Sequence, residues 1–173
     1  DISTGDFPIE QLSNAIIKSS MIEYAINIYK SETKKMEKKP ISAWFCPDIL
    51  VAEETKKQVE KRDLKVELIT AKTPIKERLD ILEKHEKGLV ECLISVGVLS
   101  EGWDNPNCNV IVHLRPTLSK VFWGQSVGRG LRSAQGKKKC IVIDVSSNFS
   151  TFGPVEKLKW KLMNHRKSYL EFK

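Results

Sequence analysis

Short apolar runs alternate with helical patterns along most of this chain, and that alternation limits the fold more than any other feature. Ile41–Phe45, Lys65–Ile69, Glu91–Val96, Val110–Leu114 and Cys140–Val145 each read as a strand of five or six residues. Between them, apolar residues recur with the spacing of helices. Asp48 is a candidate N-cap for a helix running to about Arg62. Thr73-Pro74 opens the next, with Thr73 as cap, Pro74 at the first helical position, Leu79 and Leu82 toward the core and Gly88 as the stop. A third begins near Leu118 or Ser119. Strands this short and mostly apolar need cover on both sides, so the expected fold class is α/β, a parallel sheet with helices on both faces.

Upstream of the first strand, Ile9, Leu12 and Ile16 mark one helix, with Pro8 suited to its first position. Ile22, Ala25, Ile26 and Tyr29 mark a second, from Ser20 to about Met36. No strand precedes them. Residues 1–39 are therefore expected to form an N-terminal helical extension or linker, 40–150 the sheet domain, and 151–173 a closing segment with a basic helix from Val155 to Tyr169.

A net charge of +7 favours a polyanionic partner such as nucleic acid, though Lys34–Lys39 and Lys137–Lys139 alone read as solvated loop ends. Cys46, Cys92, Cys108 and Cys140 form no CxxC pair, and no histidine stands at metal-ligand spacing from them. The expectation is a reduced, cytoplasmic protein without disulfides or bound metal. No apolar run approaches the roughly 18 residues of a membrane helix, no signal peptide is evident, and the chain opens without an initiator methionine, as a piece of a longer protein would.

In open parallel sheets ligands bind beyond the carboxyl ends of the strands. Three loops there are polar and specific: Cys46–Asp48, Gly97–Asn105 and Arg115–Ser119. In the second, Gly102 permits close backbone approach. Asp104 can accept from a ribose hydroxyl, orient an arginine, or simply form an Asx-turn into Asn105-Pro106. Ser100 and Glu101 can meet phosphate or hold the loop. Downstream, Gln125-Ser-Val-Gly-Arg-Gly-Leu-Arg132 sets Arg129 and Arg132 three residues apart beside two glycines, with no acid between them. On a helix that spacing sends both forks toward one side. Two guanidiniums there suit phosphate oxygens, or they cap helix carbonyls.

Together these segments resemble superfamily 2 helicases. Ser95 and Leu99–Pro106 resemble their motif V, and Gln125–Arg132 resembles motif VI in the form Q-x-x-G-R-G-x-R, about 20 residues further on. Ala43–Pro47 resembles motif IV, and Thr70–Thr73 a short loop ending in threonine before a helix. Gly5-Asp6-Phe7 and Arg115-Pro116-Thr117 resemble segments of the type I/III restriction-like and DNA-repair-like subgroup. Ser126, where many relatives carry arginine, and Trp103, bulkier than in RNA-unwinding members, also suit that subgroup.

The resemblance implies a RecA-like three-layer sandwich, the C-terminal one of two motor domains with ATP between them. Arg129 and Arg132 would be arginine fingers. Gln125 would couple ATP to nucleic acid, and Gly102, Asp104 and Gly128 would lie at the nucleotide. Cys46, Pro47, Lys72, Thr73 and Ser95 would lie along nucleic-acid phosphates, DNA rather than RNA.

A P-loop reads G-x-x-x-x-G-K-[ST]. The nearest imitation, Gly130 to Lys138, has five residues between its glycines and lysine in place of Ser or Thr, and no Asp-Glu pair ends an apolar strand. ATP and magnesium are thus expected to be held mainly by a first motor domain outside this chain, which alone should not hydrolyse ATP. The alternatives are a catalytically silent nucleic-acid-binding module or the motor of a restriction enzyme. His113, Trp44 and Trp123 are expected to pack the core. Trp160 is read as packing or as a contact to a neighbouring domain, Lys157–Lys167 as a DNA contact or a solvated face, and Asp144 with Ser146–Asn148 as a cleft lining or a loop brace.

Overall fold

The computed structural model describes residues 9–99 and 103–158. The predicted helix from Val155, with Trp160 and most of the basic run, therefore falls largely outside the described residues, as do Gly5–Phe7, Pro8 and Ser100–Gly102. What is described of that helix is a 3-10 turn at Val155–Lys157.

All five expected strands form: β1 (Ser42–Phe45), β2 (Val66–Ile69), β3 (Cys92–Ser95), β4 (Val110–His113) and β5 (Ile141–Asp144). They pair in parallel in the order β2-β3-β1-β4-β5. The registers set Ile69, Ser95, Phe45, His113 and Asp144 in one row at the carboxyl edge. The loops that follow the strands all start from that row.

One face is covered by α1 (Ile9–Lys18), α2 (Met21–Thr33) and α3 (Ile49–Glu60). Ile16, Ile22, Ile26 and Tyr29 pack there with Trp44, Ile94 and Val112 of the sheet. Asp48 caps α3 as expected, accepting from the Val51 amide at 2.9 Å, and its other oxygen accepts from Ser13 Oγ at 2.6 Å. That second bond ties α1 to the end of β1. The first two helices thus complete a layer over the sheet.

The other face carries α4 (Ile75–Glu86) and α5 (Lys120–Gly130). The connection from β3 to β4 crosses the same face, where Leu99, Trp103 and Cys108 pack with Ala43, Phe45, Leu93 and Ile111. Ser119 caps α5 by accepting from the Phe122 amide. Among the described residues a short helix that the sequence reading missed, α6 (Asn148–Phe152), follows β5.

Helix α4 departs from expectation twice. Pro74 stands at the cap position in an extended conformation rather than at the first helical position. Thr73 does not cap the helix, because its hydroxyl accepts from the Thr70 amide at 2.9 Å and closes the preceding loop on itself. Leu79 is 62% exposed instead of core-facing; Ile81 and His85 are the buried residues, with Leu82 packed beside them. Two apolar registers overlap in this helix, and the one that carries His85 faces the sheet.

His113, Trp44 and Trp123 are core residues as expected. His113 stacks on Phe45 (centroids 5.0 Å apart, planes 13° apart) and shares a 2.9 Å hydrogen bond with Ser126 Oγ of α5. Burial, with Arg115 adding to it, pushes the imidazole down to about 3.

Candidate functional site

The arginine motif straddles the end of a helix. Arg129 lies in the last turn of α5, Leu131 at its C-cap, and Arg132 just beyond. Gly130 lets the helix end lie close against the sheet: a Cβ there would stand 2.6 Å from Ile111 Cγ1 and closer still to Cys140 Sγ. The helix end is therefore pinned, and both side chains are directed at the loop after β3.

They meet there on one atom. Arg129 Nη1 donates to the Trp103 carbonyl at 2.6 Å, and Arg132 Nη1 donates to the same oxygen at 3.3 Å. Arg132 also pairs with Asp104. Partial burial, then the neighbouring Arg132 charge, holds the Arg129 guanidinium below its ordinary value, with Asp104 acting in the opposite sense. Two like charges thus converge on a single carbonyl, with the exposed Asp104 carboxylate beside them. The Arg132–Asp104 pair is 37% and 63% exposed, so it opens at little cost.

The turn that carries this carbonyl is held firmly. Asn105 Oδ1 accepts from the Asn107 amide, and Asn105 Nδ2 lies 3.1 Å from His85 Nδ1. Lys137 spans the other side, its ammonium donating to the Pro106 carbonyl at 3.0 Å and to the Arg132 carbonyl at 2.8 Å. Lys137 is thus a half-buried bridge rather than a solvated loop end. Asp104 is the arginine partner, while the Asx-turn belongs to Asn105.

The remaining predicted site residues lie around this cluster or along the same edge. Gln125 is exposed on α5 and Gly128 half-buried, with no heavy atom other than its chain neighbours and its own helix backbone within 4 Å of where its Cβ would be. Arg115, at the end of β4, lies 4.5 Å over the Phe122 ring. Asp144 accepts from Ser146 Oγ at 2.8 Å and from the Phe149 amide at 2.7 Å, and Asn148 Oδ1 accepts from the Thr117 amide at 2.9 Å. Those bonds brace the loop after β4 against that after β5.

Residues expected along a nucleic-acid track sit at the ends of β1, β2 and β3, and no hydrogen bond described joins them to the arginines. The Cys46 amide donates to the Ser95 carbonyl at 3.0 Å, and burial pushes its thiol up to about 12. Pro47 is also buried. Ser95 Oγ is buried and accepts from the Leu99 amide. Lys72 is exposed on the turn closed by Thr70 and Thr73, and Arg78 braces that turn by donating to the carbonyls of both threonines.

A model described as "Helicase conserved C-terminal domain" matches residues 22–134. The chain belongs to that family. It is a C-terminal, RecA-like domain of the superfamily 2 kind. A Saccharomyces cerevisiae protein assigned as the ATP-dependent helicase IRC3 is 31% identical over 140 residues, which is 80% of this chain and 20% of that protein. The chain thus spans about a fifth of the length of that relative. A fragment from Vibrio vulnificus, assigned to an HsdR subunit of a type I restriction enzyme, superposes with a TM-score of 0.67 at 22% identity, over 83% of this chain and 30% of that one. S. cerevisiae Dbp5, bound to RNA and ADP BeF3, gives 0.63 at 14% identity, over 88% and 41%. At those identities the likeness is one of fold. No described helix is long and apolar enough to cross a membrane.

Proposed function

We propose that this chain is the second motor domain of a nucleic-acid-dependent ATPase of the helicase or translocase type. In this reading Arg129 and Arg132 leave the Trp103 carbonyl for the terminal phosphates of an ATP held by a separate P-loop domain. The observation that carries it is the convergence of both guanidiniums at the carboxyl edge, on an acceptor weaker than a phosphate. The carbonyl and the exposed Asp104 carboxylate hold both forks at one place on that edge. Phosphoryl transfer rests on positioning and charge stabilisation, and an arginine finger contributes about 10³–10⁵ in rate. A finger supplied across a cleft acts only when the cleft is closed, so turnover becomes a cycle of closing and opening.

The pair fits phosphate oxygens. Among the described residues no group of three or more His, Cys, Asp or Glu is arranged to hold a metal, and magnesium in this reading is held by the P-loop domain. The open space at Gly128 admits that domain or the nucleotide, and Gln125, three residues earlier on α5, is exposed to meet it. Lys72, with the turn it stands on, meets the nucleic-acid backbone; Cys46, Pro47, Thr73 and Ser95 shape that edge. DNA is the favoured track, from Ser126, Trp103 and Arg115–Thr117, which resemble the restriction-like and DNA-repair-like subgroup.

The test is the ATPase of the complete protein with and without DNA or RNA, comparing wild type and Arg129→Ala. The expected loss in the variant is about 10³-fold or more, with DNA binding largely retained. Undiminished turnover in the variant would refute the finger assignment, and stimulation by RNA alone would refute the DNA track.

A further inference from the structure

His85 is a buried ionisable group for which the proposed function has no use. It lies in α4, fully buried, and no described hydrogen bond joins it to the arginines. Both ring nitrogens are nonetheless occupied in a defined way. Nε2 lies 3.1 Å from the Ser42 carbonyl, an acceptor only, so Nε2 carries the proton. Nδ1 is then the acceptor, 3.1 Å from the Asn105 amide nitrogen. The ring also leans on Trp103, with centroids 5.8 Å apart. Asn105 spends its other end on the Asn107 amide, so it cannot rotate without losing both bonds. The link runs from the first residue of the central strand, through His85 and Asn105, to the turn whose Trp103 carbonyl receives Arg129 and Arg132.

We propose that His85 is a positioning residue for the arginine pair: the neutral, Nε2-protonated ring fixes Asn105, and through it the place of the Trp103 carbonyl. The proposal rests on the reading of Arg129 and Arg132 as fingers. A purely packing role would need only bulk at this position, and Leu would supply it. The hydrogen-bonding role needs a donor toward Ser42 and an acceptor toward Asn105. Glutamine carries both functions, and leucine carries neither.

Two measurements test this. In the complete protein, His85→Leu is expected to lower nucleic-acid-stimulated kcat about 10- to 100-fold, the scale of a misplaced catalytic group, with KM for ATP within about twofold. His85→Gln is expected to restore most of that loss. A leucine variant with wild-type kcat, or a glutamine variant no better than leucine, overturns the proposal. Should the leucine variant fail to fold, Asn105→Ala cuts the same link from the turn; the same fall in kcat is expected, and wild-type kcat overturns the proposal. The second measurement uses this 173-residue chain, which carries its own covered sheet. The guanidinium Nε–H resonances of Arg129 and Arg132 are expected to move in Asn105→Ala and His85→Leu and to stay in place in His85→Gln. Unmoved resonances in all three overturn the positioning role. If Arg129→Ala keeps full ATPase while these resonances respond as expected, it is the finger reading that fails and not the link.

Discussion

The ammonium of Lys137 donates to the backbone carbonyl of Arg132 at 2.8 Å, five residues upstream, and at 3.0 Å to Pro106. One cation therefore joins the end of the arginine motif to the turn on which the arginines rest. Burial holds this ammonium below the ordinary lysine range, so the bridge persists against a cost of desolvation. Lys137→Met keeps the stem and removes both bonds. The expected loss is about 1–2 kcal/mol, the low end for hydrogen bonds to a charged group because the site is only half-buried. Urea denaturation measures it, and an unchanged midpoint would deny Lys137 a bridging role.

Gly128 and Gly130 lie on one helix yet differ in what limits them. Alanine at Gly130 must press on Ile111 and Cys140, and overpacking of that kind costs about 1–3 kcal/mol, against at most about 1 kcal/mol of helix propensity gained. Gly128→Ala meets nothing within 4 Å and is expected to leave the melting temperature unchanged or raise it, while lowering ATP turnover in the complete protein. Equal melting temperatures for the two variants would contradict the packing at Gly130.

Asp104 should matter little to folding. Its pair with Arg132 is exposed on both sides, and such pairs contribute about 0–1 kcal/mol. Asp104→Asn is expected to melt within a few degrees of wild type in low salt, and closer still in high salt. A large drop that persists in high salt would show that the carboxylate has a structural role beyond this pair.

Acid should weaken the fold at two separate points. The ordinary histidine value is 6.5; burial lowers His85 to about 4 and His113 to about 3. Below pH 6.5 the unfolded chain takes up protons that the folded chain refuses, so stability falls as pH falls. The fall ends at about 4 for His85 and about 3 for His113. Each contributes a slope of up to about 1.4 kcal/mol per pH unit within its window. Urea midpoints at pH 7.5, 5.5 and 4.5 check it. His85→Gln should flatten the dependence, and a wild-type midpoint that does not fall between pH 6 and 4.5 would contradict the burial of both rings.

Sequence reasoning reached the strands, the cap at Asp48, the start of α5 near Ser119 and the arginine motif, because each rests on local spacing or a local hydrogen bond. The strand order was beyond it, since β1 meets β3 and β4 through pairings far apart in the chain. It chose the wrong side of α4 because Leu79 offers helical periodicity as good as Ile81 does, and only the sheet selects between them. Lys137 looked solvated because its partners are main-chain carbonyls, which have no residue signature. The Trp103 carbonyl was invisible for the same reason, although the arginines, Asp104 and the loop after β3 were all singled out.

That last point bears on how such a site can change over time. The atom that receives both arginines belongs to the backbone, so every amino acid at position 103 would supply it. No substitution there can delete the acceptor; mutation can only displace it. Variation in this resting place must therefore come from elsewhere, through residues such as His85, Asn105 and Lys137 that decide where the main chain runs. The tunable part of the machine lies behind the arginines, where a comparison of surface residues would not look for it.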